Sequence, residues 1–139
     1  MKNLDSLTLK FFYEENKDFL TNGTIQKIQM PSRKEIILYI RNSGENKKLY
    51  ININPKFPHI CFIKDKEDFS LKIPKTPPMF CMQLRKYLEG AKIINAVLIE
   101  YERILEFHFS ITDEFGILNN HVLSIELMGK YSNVILYNK

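Results

Sequence analysis

Residues 104–111 read ILEFHFSI. Leu105, Phe107, Phe109 and Ile111 fall on one side of an extended chain, and Glu106, His108 and Ser110 on the other. A period of two over eight residues is the pattern of a half-buried strand, with the aromatic row turned to a core. Asp113-Glu114-Phe115-Gly116 turns the chain, and Val122 to Met128 alternates again through Leu123, Ile125 and Leu127. On the other side, Lys92 to Glu100 is a largely apolar strand that reaches residue 104 through the turn Tyr101-Glu102-Arg103. Strands at this spacing, separated by short turns, argue for an antiparallel sandwich or barrel.

The same reading extends outward in both directions. Asn133 to Tyr137 predicts a last strand beyond a loop at 129–132. Upstream, Thr24 to Met30, Glu35 to Arg41, Lys47 to Ile53 and His59 to Ile63 read as strands. The second of these turns Ile36, Leu38 and Ile40 to one face, and the third Leu49, Ile51 and Ile53. Asn42 to Asn46 is a turn segment, and the charged, proline-bearing stretch 64–76 is a surface loop. Two helices interrupt the series. Residues 5–20 are amphipathic, with Leu4, Leu7, Phe11 and Leu20 near one stripe, Phe12 and Phe19 beside it, and Asp5 or Ser6 as the N-cap. Asn22-Gly23 stops this helix, with glycine expected in the left-handed conformation. Pro77-Pro78 opens the second, where Phe80, Leu84, Tyr87 and Leu88 recur at helical spacing and Gly90 ends it. The fold class expected is α+β: an antiparallel β-sandwich or barrel with two helices, formed by residues 1–139 as one domain.

Composition narrows function without naming it. The chain carries 20 Lys and Arg against 16 Asp and Glu, a net charge of +4. That is compatible with a nucleic-acid partner but does not require one. The densest basic pairs are Arg33-Lys34, Lys47-Lys48 and Arg85-Lys86, and none extends into a basic tail. Cys61 and Cys81 read as two buried, reduced thiols, with a disulfide between them as the alternative. His59, His108 and His121 lack metal-ligand spacing, and no cofactor is expected. The sequence contains no glycine-rich phosphate loop and no serine nucleophile elbow, and its carboxylates are dispersed. A non-enzymatic binding module in the cytoplasm, without a membrane partner, is the expectation.

Four stretches carry a resemblance. They are LDSLTLKFF (4–12), QKIQMPSRKEIILYIRN (26–42), PPMFCMQLRKYLEG (77–90) and IELMGKYSNVIL (125–136), and they span nearly the whole chain. Neither the proline-methionine run with its LRKYLEG ending nor the ELMG–SN pair follows from generic helix or strand patterning. Together they resemble the N-terminal domain of the NFACT family, the group of fibronectin-binding protein A and the bacterial ribosome-associated quality-control factors. The resemblance implies a fold similar to the N-terminal domain of formamidopyrimidine-DNA glycosylases, within a longer multidomain protein. The glycosylase chemistry itself, on an N-terminal proline amine followed by glutamate, is not implied, because the sequence begins Met1-Lys2-Asn3.

The resemblance further implies partners: tRNA and a large ribosomal subunit carrying an obstructed nascent chain, with alanine tailing as the outcome. It implies no DNA partner. Fibronectin is the partner under the alternative, adhesin reading. Carried over by position, the tRNA-handling residues are Asp5 in the first helix start and the pair Glu102-Arg103 at the later hairpin turn. The family usually has aspartate before the arginine, and this chain has glutamate. After ELMG the family often has arginine and histidine; here they are Lys130 and Tyr131. Lysine keeps a phosphate-binding charge without the guanidinium fork, and tyrosine keeps a stacking face. Arg85 and Lys86, on the polar side of the second helix, complete the set as phosphate contacts. Each residue also has a purely structural reading. Asp5 is a good helix cap, Arg103 and Glu102 suit a surface ion pair, Arg85 and Lys86 a solvated face, and the 130–133 loop ordinary turn chemistry.

Overall fold

The computed structural model describes residues 6–63, 73–128, 130 and 132–138. Its elements are α1 (Ser6–Leu20), β1 (Thr24–Ser32), β2 (Glu35–Asn42), β3 (Glu45–Asn52), β4 (His59–Ile63), α2 (Met79–Leu88), β5 (Lys92–Ile99), β6 (Ile104–Thr112), β7 (Leu118–Glu126) and β8 (Asn133–Asn138). A single 3-10 turn, Glu100–Glu102, lies between β5 and β6. The eight strands form one sheet in the order β4-β3-β2-β1-β5-β6-β7-β8, and every pairing in it is antiparallel.

The sheet consists of two four-stranded meanders joined by one residue pair, Thr24 with Lys92. The expected α+β class with antiparallel strands and two helices is found, and the eight strands form one continuous hydrogen-bonded series. The core is also shared. One buried cluster draws on all eight strands and both helices, from Ile28, Leu38 and Leu49 in the first meander to Phe107, Phe109 and Leu123 in the second. The row expected to face inward on β6 does so, with Leu105, Phe107 and Phe109 fully buried.

Where β1 leaves β5, its backbone is satisfied by a helix. Arg85 Nε donates to the Ile28 carbonyl at 2.9 Å, and the Ile28 N–H donates to Glu89 Oε2 at 3.1 Å. Side chains at the end of α2 thus substitute for the missing strand partner, as buried backbone polar groups require. Arg85 is therefore not simply a solvated residue of a polar helix face. The buried stripe of α2 is Cys81, Leu84 and Leu88, while Tyr87, expected inside, is 37% exposed.

Other local expectations are corrected. On α1 the buried residues are Leu9 and Leu20, with Phe12 and Tyr13 packed beside them; Leu7 and Phe11 are exposed. The helix lies across β2, β4 and β5, and that seat keeps Leu20, Phe12 and Phe19 of the expected set inward while turning Leu7 and Phe11 out. At its end the left-handed residue is Asn22 (φ 72°), not Gly23. Gly23 is needed for space, since a Cβ there would stand 2.7 Å from Ile40 Cγ2. The turn expected over 42–46 contracts to Ser43 (φ 52°) and Gly44 (φ 81°), both left-handed, between the paired residues Asn42 and Glu45. That is the backbone of a tight hairpin. Strand β7 begins at Leu118, four residues before Val122, because the pairing with β6 runs on to Thr112. The loop read over 64–76 lies outside the described residues from 64 to 72.

Candidate nucleic-acid interface

The hairpin joining β5 to β6 is built by a register that closes on Ile99 opposite Ile104. The chain crosses between them in the 3-10 turn and then in Arg103, whose φ of 53° is left-handed. A side chain at positive φ is uncommon outside Asn, Asp and Gly and marks a position to inspect. Here the Arg103 carbonyl accepts the Leu127 N–H at 3.1 Å, so the residue is fixed against the end of β7. Ile104 pairs with Glu126 across the same ladder.

The end of the sheet that carries Arg103 also receives the start of α1. Tyr13 Oη donates to the Ala96 carbonyl at 3.0 Å, and the Asn22 N–H donates to the Ile93 carbonyl at 2.7 Å. Helix and strand therefore run antiparallel, and the first turns of α1 reach the 3-10 turn, which they contact. Three chain segments meet there: the opening of α1, the turn 100–103 and the segment leaving β7 at Leu127.

Each expected site residue has a definite place in this frame. Glu102 is exposed and Arg103 half-buried on the β5–β6 turn. Lys130 is exposed in the segment that begins beside Arg103. Asp5 and Tyr131 lie outside the described residues. Arg85 and Lys86 are not brought to this end. Lys86 lines a cleft with Thr112 and Asn120, at the far end of β6. Nine residues of strand separate the two ends of β6, a span of roughly 25–30 Å at ~3.3 Å per residue.

Tyr101 adds to the turn a residue the sequence reading passed over. It is 99% exposed, two positions before Arg103, and offers a free aromatic face beside a cation. An aromatic in a turn bracketed by apolar strands was the visible cue, but hairpin turns often bury such a ring, and only the 3-10 geometry shows it outside. Phe11 and Leu7 present further apolar surface on the outer face of α1. Such an arrangement of stacking face, arginine and nearby lysine can hold an unpaired base with its phosphate.

Among the described residues no group of three or more His, Cys, Asp or Glu side chains could hold a metal ion. Cys61 and Cys81 are free thiols, and burial pushes the Cys81 thiol above its ordinary range. No described helix is long and apolar enough to cross a membrane.

Comparison with known proteins agrees with this architecture. The family described as NFACT N-terminal and middle domains matches residues 5–139. A Streptococcus pneumoniae protein named Rqc2 homolog RqcH is 36% identical over 137 residues, which is 99% of this chain and 24% of that protein. The Bacillus subtilis protein of the same name is 34% identical over 122 residues, covering 88% of this chain and 21% of its own length. The chain thus spans about a quarter of the length of these curated relatives. Among solved structures, the N-terminal part of the fibronectin/fibrinogen-binding protein of Streptococcus suis superposes with a TM-score of 0.90 at 38% identity, over 98% of this chain and 49% of that one. With the motifs, the fold and a family match over residues 5–139 in agreement, this chain belongs to the NFACT family.

Proposed function

We propose that this chain is a tRNA- and large-ribosomal-subunit-binding module of a cytoplasmic ribosome-associated quality-control factor that promotes alanine tailing of stalled nascent chains. It contributes no catalytic group in this reading; peptidyl transfer stays with the ribosome. The fold is read as kin to the formamidopyrimidine-DNA glycosylase N-terminal domain. The observation that carries the proposal is the β5–β6 turn. There, Arg103 is held in a left-handed conformation and anchored to Leu127, with Tyr101 fully exposed beside it. The anchored carbonyl and the left-handed φ fix where the Arg103 side chain leaves the turn, and preorganisation lowers the cost of binding. Glu102 of the same turn and Lys130 of the segment after β7 add polar and cationic contacts, and Asp5 and Tyr131 join the proposed set by their places in the family pattern. Lys86 is a separate phosphate contact at the far end of the sheet.

Binding of fluorescent tRNA to the full-length protein across a salt series, beside Arg103→Ala, tests this. Binding that weakens with salt and is lost in the variant supports the turn as the tRNA contact. Equal binding by both proteins overturns it. A second reading, a fibronectin-binding surface, is favoured by the description of the Streptococcus suis structure as a fibronectin/fibrinogen-binding protein. Fractionation of intact cells separates the two: exposure on the cell surface supports the adhesin reading, and confinement to the cytosol counts against it.

A further inference from the structure

The core-facing rows of β6, β7 and β8 do not end as they run. On β6 the row is Leu105, Phe107, Phe109 and Ile111, apolar to its end. On β7 the row Ile125, Leu123 gives way to His121 and Asn119, and on β8 the row Val134, Leu136 gives way to Asn138. The ladder places Ile111 opposite Asn119, and Phe109, His121 and Asn138 side by side. Three polar side chains therefore occupy positions where strand alternation calls for apolar ones, and breaks in such a pattern concentrate at functional sites.

These residues line one cleft of about 630 Å³ with Lys86 and Tyr87 of α2. His121 is 7% exposed and meets the Tyr87 ring at 5.1 Å between centroids. Its ring nitrogens are not among the fully buried polar atoms left without a partner; among the described residues that is Ser132 Oγ. Asn119 spends its amide N–H groups on Asp113 Oδ2 and the Ile117 carbonyl, both at 3.3 Å, so it presents an oxygen to a ligand. Lys86 Nζ stands 5.2 Å from the Tyr87 ring centroid, at the mouth.

We infer that this cleft binds an unpaired nucleotide of an RNA, as a second contact at the opposite end of the sheet from Arg103. This inference rests on the RNA-binding reading above. Lys86 Nζ lies over the Tyr87 ring, and a base stacks on that ring as the Nζ swings out to the phosphate. His121, Asn119 and Asn138 supply the mixture of donors and acceptors that a base edge presents. Lys86 takes the phosphate.

The test is a titration of the full-length protein with the four nucleoside 5′-monophosphates, read on the His121 ring resonances, with inorganic phosphate as the control. At least one nucleotide is expected to shift His121, and Tyr87→Ala to weaken that binding by about fivefold or more. Asn138→Ala, at an exposed strand end, repeats the test if Tyr87→Ala does not fold. Unmoved His121 resonances, equal binding by the variants, or the same shifts with phosphate alone overturn the cleft. Measuring tRNA binding of Arg103→Ala in parallel keeps the two ideas apart. Loss of the nucleotide response with intact, Arg103-dependent tRNA binding removes only the cleft. A nucleotide response at His121 without any tRNA binding removes only the proposed function.

Discussion

Arg103 carries a conformational cost that most arginines do not. A left-handed backbone costs a non-glycine residue about 1–2 kcal/mol, and Arg103 has φ 53°. If the turn served only to reverse the chain, glycine would serve it better. Arg103→Gly is therefore expected to leave thermal stability unchanged or raise it, by up to about 1 kcal/mol, while abolishing tRNA binding. A melting curve and a binding isotherm on the same preparation check it. A stability loss of several kcal/mol would instead assign the arginine to the fold. Asp113 shows the opposite case, a polar residue fully explained by its turn. Its carboxylate accepts the Ile117 and Phe115 N–H groups, both at 2.9 Å. The Ile117 contact, the largest influence, together with Phe115 and Asn119, holds its pKa below the ordinary value against burial, which is second in size and opposes them. A folded pKa below the unfolded one, about 3.9, means the contribution is complete above the unfolded value and lost as pH falls through the folded one. Asp113→Ala should accordingly flatten the pH dependence of stability below about pH 4 and leave it unaltered near neutrality. Acid titrations of both proteins, followed by circular dichroism, read this directly.

Among the elements, α2 has two duties that its sequence shows unequally. Its apolar residues Cys81, Leu84 and Leu88 enter the core, and helical spacing made part of that stripe visible in advance. Its polar end replaces a strand along β1, and nothing in the helix alone could disclose that. Removing the Arg85 guanidinium leaves the Ile28 carbonyl with only the long, weak contact from Cys81 Sγ at 4.0 Å. Arg85→Ala is expected to cost about 1–3 kcal/mol in urea denaturation, the usual penalty for an orphaned polar group. It should change tRNA binding less than Arg103→Ala does, because the side chain is turned toward β1. Equal stability of variant and wild type would mean that water serves the carbonyl as well. For α1 the outcome was less legible. Its spacing offered Leu7, Phe11 and Leu20 as the inner stripe; contacts with β2, β4 and β5 bury Leu20 as expected, but with Leu9 in place of Leu7 and Phe11. A helix rich in apolar residues on several sides fits more than one rotation, and its neighbours select one.

Over the whole molecule, the two meanders depend on a narrow joint. Thr24 and Lys92 are the single residue pair between β1 and β5, and the Ile93 N–H reaches the Gly23 carbonyl at 2.8 Å beside it. Gly23 lies in that joint with no room for a side chain. A Cβ would also come within 3.2 Å of the Leu20 carbonyl. Gly23→Ala is expected to destabilise the whole domain by about 1–3 kcal/mol, as overpacking does elsewhere, and to lower the midpoint for both halves in one transition. Hydrogen exchange that loosens one meander alone would show that the joint does not make them cooperative. The sequence by itself determined the strand series, the hairpin at Ser43-Gly44, the inward rows of β2 and β6 and the placement of Glu102 and Arg103 on a turn. These depend on periodicity and turn chemistry, which act between near neighbours along the chain. Only the tertiary structure decided the continuity of the sheet, the face of α1 that is buried, the role of Arg85, the exposure of Tyr101 and the distance between Lys86 and Arg103. Each depends on contacts between residues far apart in sequence, where packing and the need to satisfy buried backbone groups outweigh local preference.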